Sequence, residues 1–362
     1  MKILHILATL GSGGIQGFVY SLAYEQARMG HEVMVVLTDI CDDKLSFKQE
    51  QVLAEKGVMV VRLNRHEGNK VELIKSMLEF RKQIERFKPN IINSHSKLWH
   101  LYGAIGCFAN KYQQVCTVHT TPEKWSRLVN LFCGNKPVIY CSKASYEGRI
   151  QKNKNVVCIE NGIAPNLVRT KEIVDLRKEY DLPSESKIIV SVGNLRPAKN
   201  YKNLIELAKL VDGGPIHFFI SGSNLGGPAY DDPKLYEGYR NLHCLGSRSD
   251  VSAIENGADL FLSSSTYEGL PIAVLEAYFN GIPCVLSPIK QHIQIADVPK
   301  VWMPKDFEAK SFLKTIEEAL VTLESHNAIY EMRKPYIEKY SIVRTARNYI
   351  DFYNEIIDKA EK

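Results

Sequence analysis

Thirteen short apolar runs recur along this chain, and between them lie stretches with helical spacing. The first series is KILHILA (2–8), EVMVVLT (32–38), VMVVRLN (58–64), NIINSHS (90–96), QVCTVHT (114–120), PVIYCS (137–142) and VVCIENG (156–162). The second is KIIVSVG (187–193), IHFFISG (216–222), LHCLG (242–246), DLFLSSS (259–265), PCVLS (283–287) and KVWM (300–303). The runs are continuous rather than alternating, which suits strands covered on both faces. Between the first two, Ile15, Phe18, Val19, Leu22, Ala23 and Ala27 keep a 3.6-residue period until Gly30. Strand and helix in alternation imply parallel sheets joined by right-handed crossovers. Two such series predict an α/β chain of two Rossmann-like domains. Gly162 and Pro165 in ENGIAPNLVRTKE break regular structure and mark the boundary. The expected domains are 1–164 and 165–342, with a terminal helix at about 343–362 returning to the first. That helix has apolar residues at 346, 349, 350, 353, 356 and 357, and no strand follows it.

Composition narrows the function classes. At 362 residues, 45% hydrophobic and 24% charged, the chain can bury two cores and is not disordered. No run reaches the length of a membrane span, and Met1-Lys2 leads straight into a strand, so no signal peptide is expected. The eight Cys lack C-x-x-C spacing and several sit in apolar runs, which suits free thiols in a reducing cytoplasm. Net charge is +5, but unevenly spread: residues 1–165 carry 22 Lys and Arg against 14 Asp and Glu, the remainder 24 against 27. A basic first half fits anionic lipid, a phosphorylated acceptor or nucleic acid, and it equally fits ordinary solvated helix faces.

The turn HILATLGSGGIQGF (5–18) joins the first strand to the first helix through Gly11, Gly13 and Gly14. Such glycines permit close backbone approach, and the helix N-terminus favours an anion. A dinucleotide fingerprint requires a third glycine where Gln16 stands, although Asp39 does end the second strand. The match is partial, and a turn with no ligand is the alternative.

The stretch SSSTYEGLPIAVLEAYFNGIPCVLS (263–287) says more. Glu268 falls at the carboxyl end of a parallel strand, where ligands of open α/β sheets bind. Pro271 can open a helix that Asn280-Gly281 closes. Glu276 lies inside that helix, and a carboxylate there can accept hydrogen bonds from vicinal hydroxyls such as a ribose's. The backbone N–H groups of Gly269 and Leu270 lie beside the helix start, where an anion or sugar oxygen is favoured.

Glu268 and Glu276 form E-x7-E within EG-L-P-x4-E-A. With the opening glycine turn, the ENGI segment (160–163) and VGNLRPAKN (192–200), this resembles the retaining glycosyltransferases of the GT-B fold, family 4-like, over most of the chain. The resemblance implies two Rossmann-like domains whose parallel sheets face across a cleft. It implies that Glu268 contacts donor-sugar hydroxyls and Glu276 the nucleotide ribose. The family's cationic loop often reads G-R-L-x3-K; here Lys199 is in register, Asn194 stands where Arg is usual, and Arg196 is displaced by two. The expectation is that Arg196 and Lys199 stabilise the departing diphosphate. Gly13 and Gly14 would approach that diphosphate from the first domain. His119, ending the fifth strand, would line the active site and help position the sugar; His95, ending the fourth, is an acceptor- or sugar-side candidate.

The expected reaction moves a hexosyl or N-acetylhexosaminyl group from a UDP- or GDP-linked donor to an acceptor hydroxyl in glycan, capsule or glycolipid synthesis, with anomeric retention. The resemblance implies an oxocarbenium-like path in which the leaving phosphate takes the acceptor's proton. No cofactor and no metal are expected: Asp231-Asp232 lies in a loop that reads as turn chemistry. The partners are a nucleotide sugar and a glycan or lipid-linked acceptor, not nucleic acid. A cytoplasmic place with peripheral contact at the inner membrane face rests on the basic half. The rivals are a GT-B nucleotide-sugar epimerase, a phosphorylase, an NAD(P)-dependent oxidoreductase and a non-catalytic sugar-nucleotide binder.

Overall fold

The computed structural model describes all residues except 12–13, 108–111, 120–123, 151–152, 223, 225–230, 322–323 and 362. Each of the thirteen apolar runs contains a strand. The chain divides into two compact units, Met1–Gly162 with Tyr340–Lys362, and Ile163–Lys339.

The first unit carries strands β1 (Lys2–Leu7), β2 (Glu32–Asp39), β3 (Met59–Arg65), β4 (Ile91–His95), β5 (Gln113–Val118), β6 (Val138–Tyr140) and β7 (Val156–Cys158). They pair in the order β3-β2-β1-β4-β5-β6-β7, all parallel. The order reverses at β1, so β1 and β4 flank the switch point at which open sheets of this kind hold ligands. Ile3, Leu4 and Ile6 of β1 are fully buried, as continuous apolar strands covered on both faces must be. The helix Gly14–Arg28 lays Phe18, Val19, Leu22 and Ala23 on the sheet. Its entry depends on Gly11, which has φ +128° and would place a Cβ 2.7 Å from Asp43 Oδ2. An L side chain is strained there and has no room.

The C-terminal helix, Ile342–Glu361, packs on this same unit. Ala346, Tyr349, Tyr353 and Ile356 form its buried stripe. Asn93 Nδ2 on β4 donates to Tyr353 Oη at 2.7 Å, and Thr345 Oγ1 donates to the Glu160 carbonyl at 2.9 Å.

The second unit carries β8 (Lys187–Val192), β9 (Ile216–Ser221), β10 (Leu242–Gly246), β11 (Leu260–Ser263), β12 (Cys284–Leu286) and β13 (Val301–Trp302). Their order is β10-β9-β8-β11-β12-β13, again all parallel. The switch point here lies between β8 and β11. Leu204, Leu207 and Ala208 of the helix Lys202–Leu210 pack with Ile189, Phe218 and Ile220 in the core below it. The helix Ile272–Asn280 ends on Gly281 at φ +76°, where a Cβ would stand 1.9 Å from the His326 carbonyl. This glycine therefore serves both the left-handed cap and the close approach of the helix His326–Ile337. Among the described residues no helix is long and apolar enough to cross a membrane.

Candidate active site

Two loops leave the carboxyl ends of β8 and β11 side by side, and together they carry the residues singled out in the second half. The first runs through Gly193 and Asn194 to a short 3-10 turn, Pro197–Lys199. Gly193 (φ +146°) would place a Cβ 2.8 Å from Lys199 Cε, so the lysine stem lies over bare backbone. Tyr201 Oη donates to the Gly193 carbonyl at 2.9 Å. The second loop is stitched to the first. Thr266 N donates to the Ala198 carbonyl at 2.8 Å, and Ser264 Oγ donates to the Lys199 and Asn200 carbonyls at 2.9 and 3.1 Å. Asn200 holds a left-handed conformation (φ 53°) and donates back to the Ser264 carbonyl.

This stitching brings Lys199 to Glu268: Nζ lies 2.8 Å from Oε1. Ser265 Oγ donates to the same carboxylate oxygen at 2.6 Å. The two side chains are 23% and 11% exposed, so the pair is shielded yet reachable. Arg196, three residues earlier, is exposed on the same loop. Gly269 and Leu270 lead into the helix Ile272–Asn280, whose N-terminal residue Pro271 provides no side-chain cap. Ile272 N donates to the Leu270 carbonyl at 2.9 Å, and the N–H groups of Ala273 and Val274 that follow are the ones a helix start offers to an anion or a polar oxygen.

Glu276 is half-buried on this helix. Burial pushes its carboxyl up to about 7, against the opposing pull of the Lys199 charge. Beneath it, fully buried Glu255 accepts from Asn280 Nδ2 and is pushed up to about 8, again chiefly by burial. A carboxyl held near neutrality at the edge of a cation-bearing loop is suited to accepting hydroxyl protons once a ligand supplies them.

Sequence reasoning missed several residues around this centre. Ser265 and His292 are two: His292 Nδ1 contacts Ser287 Oγ at 3.1 Å, and its ring lies close enough to Glu268 and Lys199 to sense both charges. Burial lowers its pKa. Three consecutive serines at the end of a strand were the only local signal. Asp232 caps the turn Pro233–Tyr236 by accepting from Lys234 N, and buried Asp231 accepts from Tyr236 Oη, so both serve the loop itself.

In the first unit the histidines line up. His5 Nδ1 lies 3.0 Å from His95 Nε2, and His95 Nδ1 lies 3.0 Å from His119 Nε2. His95 is completely buried between the other two rings, so it stands beneath His119 rather than beside it. His119 is partly exposed just past β5. Burial holds His5 down to about 4 and His119 down to about 3. His100 is structural: its Nδ1 contacts Ser94 Oγ at 2.8 Å within the core. Gly14 opens the first helix, exposed, with no atom within 4 Å of a would-be Cβ. Gly13 lies outside the described residues. Asp39, the acid that a dinucleotide ribose would require, is occupied by Arg65 Nε at 2.8 Å and by Thr38 Oγ1 at 2.9 Å.

Comparison with known proteins fits both units. The family model for glycosyl transferases group 1 matches residues 172–334, and that for Glycosyltransferase Family 4 matches residues 12–167. Both matched models are glycosyltransferase families, each covering less than half of the chain, and the fold is that of the GT-B glycosyltransferases. Among curated relatives, it is 27% identical over 249 residues to an Escherichia coli UDP-Gal:alpha-D-GlcNAc-diphosphoundecaprenol alpha-1,3-galactosyltransferase, covering 60% of this chain and 62% of that protein. It is 25% identical over 143 residues to a Bacillus anthracis N-acetyl-alpha-D-glucosaminyl L-malate synthase, covering 38% of this chain and 36% of that protein. The match therefore spans less than two thirds of either relative's length. Anabaena Alr3699/HepE, solved in complex with UDP-glucose, has the same fold: TM-score 0.77 at 18% identity, covering 98% of this chain and all of that one.

Proposed function

We propose that this GT-B chain is a retaining glycosyltransferase that moves a hexosyl or N-acetylhexosaminyl group from a UDP- or GDP-linked donor to an acceptor hydroxyl. The observation that carries this reading is the cluster at the switch point of the second sheet, where Lys199 pairs with Glu268 and Glu276 follows on the next helix. Lys199 and Arg196 stabilise the negative charge that builds on the departing diphosphate, without a metal or another cofactor. Glu268 accepts from donor-sugar hydroxyls, and Glu276 from the ribose. Gly269 and Leu270 present backbone N–H groups to the donor, and Gly13 and Gly14 supply a second phosphate-facing turn. His119 contacts a sugar hydroxyl.

In the reaction the bond from the anomeric carbon to the phosphate oxygen breaks. The acceptor oxygen bonds to that carbon on the same face, and its proton passes to the diphosphate. A relative that is named for a diphosphoundecaprenol acceptor, and a fold-mate bound to UDP-glucose, support a UDP-linked donor and a lipid-linked acceptor. The basic first half fits peripheral contact with an anionic membrane face on the cytoplasmic side.

A panel of nucleotide sugars tested by thermal shift and by product release checks the reading. A UDP- or GDP-sugar should raise the melting temperature and be hydrolysed slowly or transferred, and Lys199→Ala and Glu276→Ala should abolish turnover with the fold intact. Interconversion of the sugar without an acceptor, or stabilisation by NAD(P) alone, would replace it.

A further inference from the structure

The histidine line in the first unit does not stop at His5. His5 Nε2 lies 2.7 Å from Gln26 Oε1, so a four-residue chain runs Gln26–His5–His95–His119. Gln26 and His95 are 0% exposed, as is His5, and successive rings sit 5.3 Å apart. At the far end, Nδ1 of His119 is buried and has no hydrogen-bond partner among the described residues.

Counting protons fixes the arrangement. Burial keeps the three rings neutral, helped at His95 by the neighbouring imidazoles, so they hold one N–H each. Each of the three contacts requires one proton. Gln26 turns its carbonyl oxygen to His5 and leaves its buried Nε2 on the side of Tyr353, without a hydrogen-bond partner among the described residues, so with the amide in this orientation His5 donates from Nε2. His5 Nδ1 is then an acceptor, and His95 must donate to it from Nε2. His95 Nδ1 accepts in turn from His119 Nε2. All three protons are consumed, and His119 Nδ1 is left as a bare lone pair. The opposite polarity would set a His5 lone pair against the Gln26 carbonyl oxygen and also put an N–H at the buried, unpartnered end of the line.

We propose that Gln26, His5 and His95 are positioning residues that lock His119 as its Nε2–H tautomer, so that Nδ1 accepts a hydrogen bond from a ligand hydroxyl. The inference builds on the transferase reading above for the identity of the ligand, but the lock itself is a property of the free chain. Its chemical consequence is selectivity: a bare imidazole nitrogen recognises a group that carries a proton and is repelled by a phosphate or carboxylate oxygen. A sugar hydroxyl fits; its deoxy and deoxyfluoro replacements fail alike, since fluorine has no proton to give.

Long-range proton–nitrogen correlation NMR on the full chain, with its histidines labelled, reads each tautomer directly. The expected result is Nε2–H on His5, His95 and His119. Gln26→Glu keeps an acceptor at the end of the chain and should preserve this pattern. Gln26→Leu removes it and should give His119 a mixture of tautomers; if that variant does not fold, Gln26→Met makes the same test. For transfer, kcat of Gln26→Leu should fall about tenfold or more, the scale on which orienting partners act, with KM for the nucleotide donor changed little and Gln26→Glu restoring the rate. Nδ1–H on His119 in the unmodified chain, or an unchanged tautomer in both Gln26→Leu and Gln26→Met, overturns the lock. Correct tautomers in a chain that turns over no nucleotide sugar would instead remove the transferase reading and leave the lock standing.

Discussion

Lys199 Nζ lies 2.8 Å from Glu268 Oε1, so the loop's cation and the strand-end acid neutralise each other before any ligand arrives. The pair arises because β8 and β11 are neighbours only through the reversal of strand order. On the proposed function, a diphosphate entering this loop would compete with Glu268 for Lys199 and free Glu268 to accept hydrogen bonds from hydroxyls. Replacing Lys199 by Met should therefore lower transfer by about a hundredfold or more, the scale for removing one charge-stabilising group from a transition state. The stability loss should be no more than about 1–2 kcal/mol, because Ser265 still donates to Glu268. Steady-state rates and thermal melts of Lys199→Met, Glu268→Gln and the double variant check this. Wild-type turnover in Lys199→Met would remove the lysine from the site.

Glu276, held at about 7 by burial, is largely protonated on the acid side of neutrality in the free chain. In the proposed ribose role, hydroxyls donate to the ionised form, so nucleotide binding should favour the carboxylate and release a proton. Affinity for UDP or GDP should rise as pH rises through about 7, and calorimetry in buffers of different ionisation heats should show that proton. Glu276→Gln should bind weakly with a flattened profile. A wild-type affinity independent of pH from about 5.5 to about 8.5 would contradict the ribose role.

The fold was legible because its signal is local. Each strand is a continuous apolar run such as KIIVSVG, and burial on both faces leaves that mark on the sequence whatever the partner strand. Glu268 and Glu276 were legible for a related reason, since a strand end and the following helix fix both within nine residues. The histidine line was only half visible. His95 and His119 end strands, but His5 lies within β1 and Gln26 within the first helix, where either reads as filler. What joins them is the adjacency of β1, β4 and β5, a long-range fact with no local spacing. Glu255 was invisible too, because a lone acid in a helix reads as solvated until a second helix covers it.

Two glycines separate site geometry from propensity. A Cβ on Gly222 would stand 1.9 Å from the carbonyl oxygen of Gly193, the residue over which Lys199 lies. Gly222→Ala should cost about 2–4 kcal/mol, since backbone must move, and should weaken nucleotide binding along with stability. Gly17, inside the helix Gly14–Arg28, has nothing within 4 Å of the same position. Gly17→Ala should stabilise by up to about 1 kcal/mol through helix propensity, with turnover unchanged. Denaturation midpoints paired with UDP titrations distinguish the two. Equal effects would mean that the approach of Gly222 to Gly193 does not position the lysine loop.

The two units should differ in how they respond to pH above neutrality: both hold histidines below the ordinary 6.5, including His217, His243, His292 and His326 in the second, but the carboxyls raised by burial lie in the second. In the first, His5, His95, His100 and His119 are held neutral, with folded pKa values below the ordinary 6.5. Their contribution is fully present above about 6.5 and is lost as pH falls toward the folded values, because the unfolded chain takes up protons first. In the second, Glu255 and Glu276 are raised to about 8 and about 7. Their contribution is fully present below the ordinary carboxyl value and is lost as pH rises through about 7 to about 8, because the unfolded chain ionises first. Hydrogen exchange read separately on β4 and β11 should show both units loosening on acidification, and the second alone loosening as pH rises through about 7 to about 8. Glu255→Gln keeps an oxygen for Asn280 Nδ2 and removes the titration, so it should flatten the alkaline limb of the second unit alone. An alkaline loosening of β4 equal to that of β11, or an alkaline limb untouched in Glu255→Gln, would show that the buried carboxyls do not set the pH dependence.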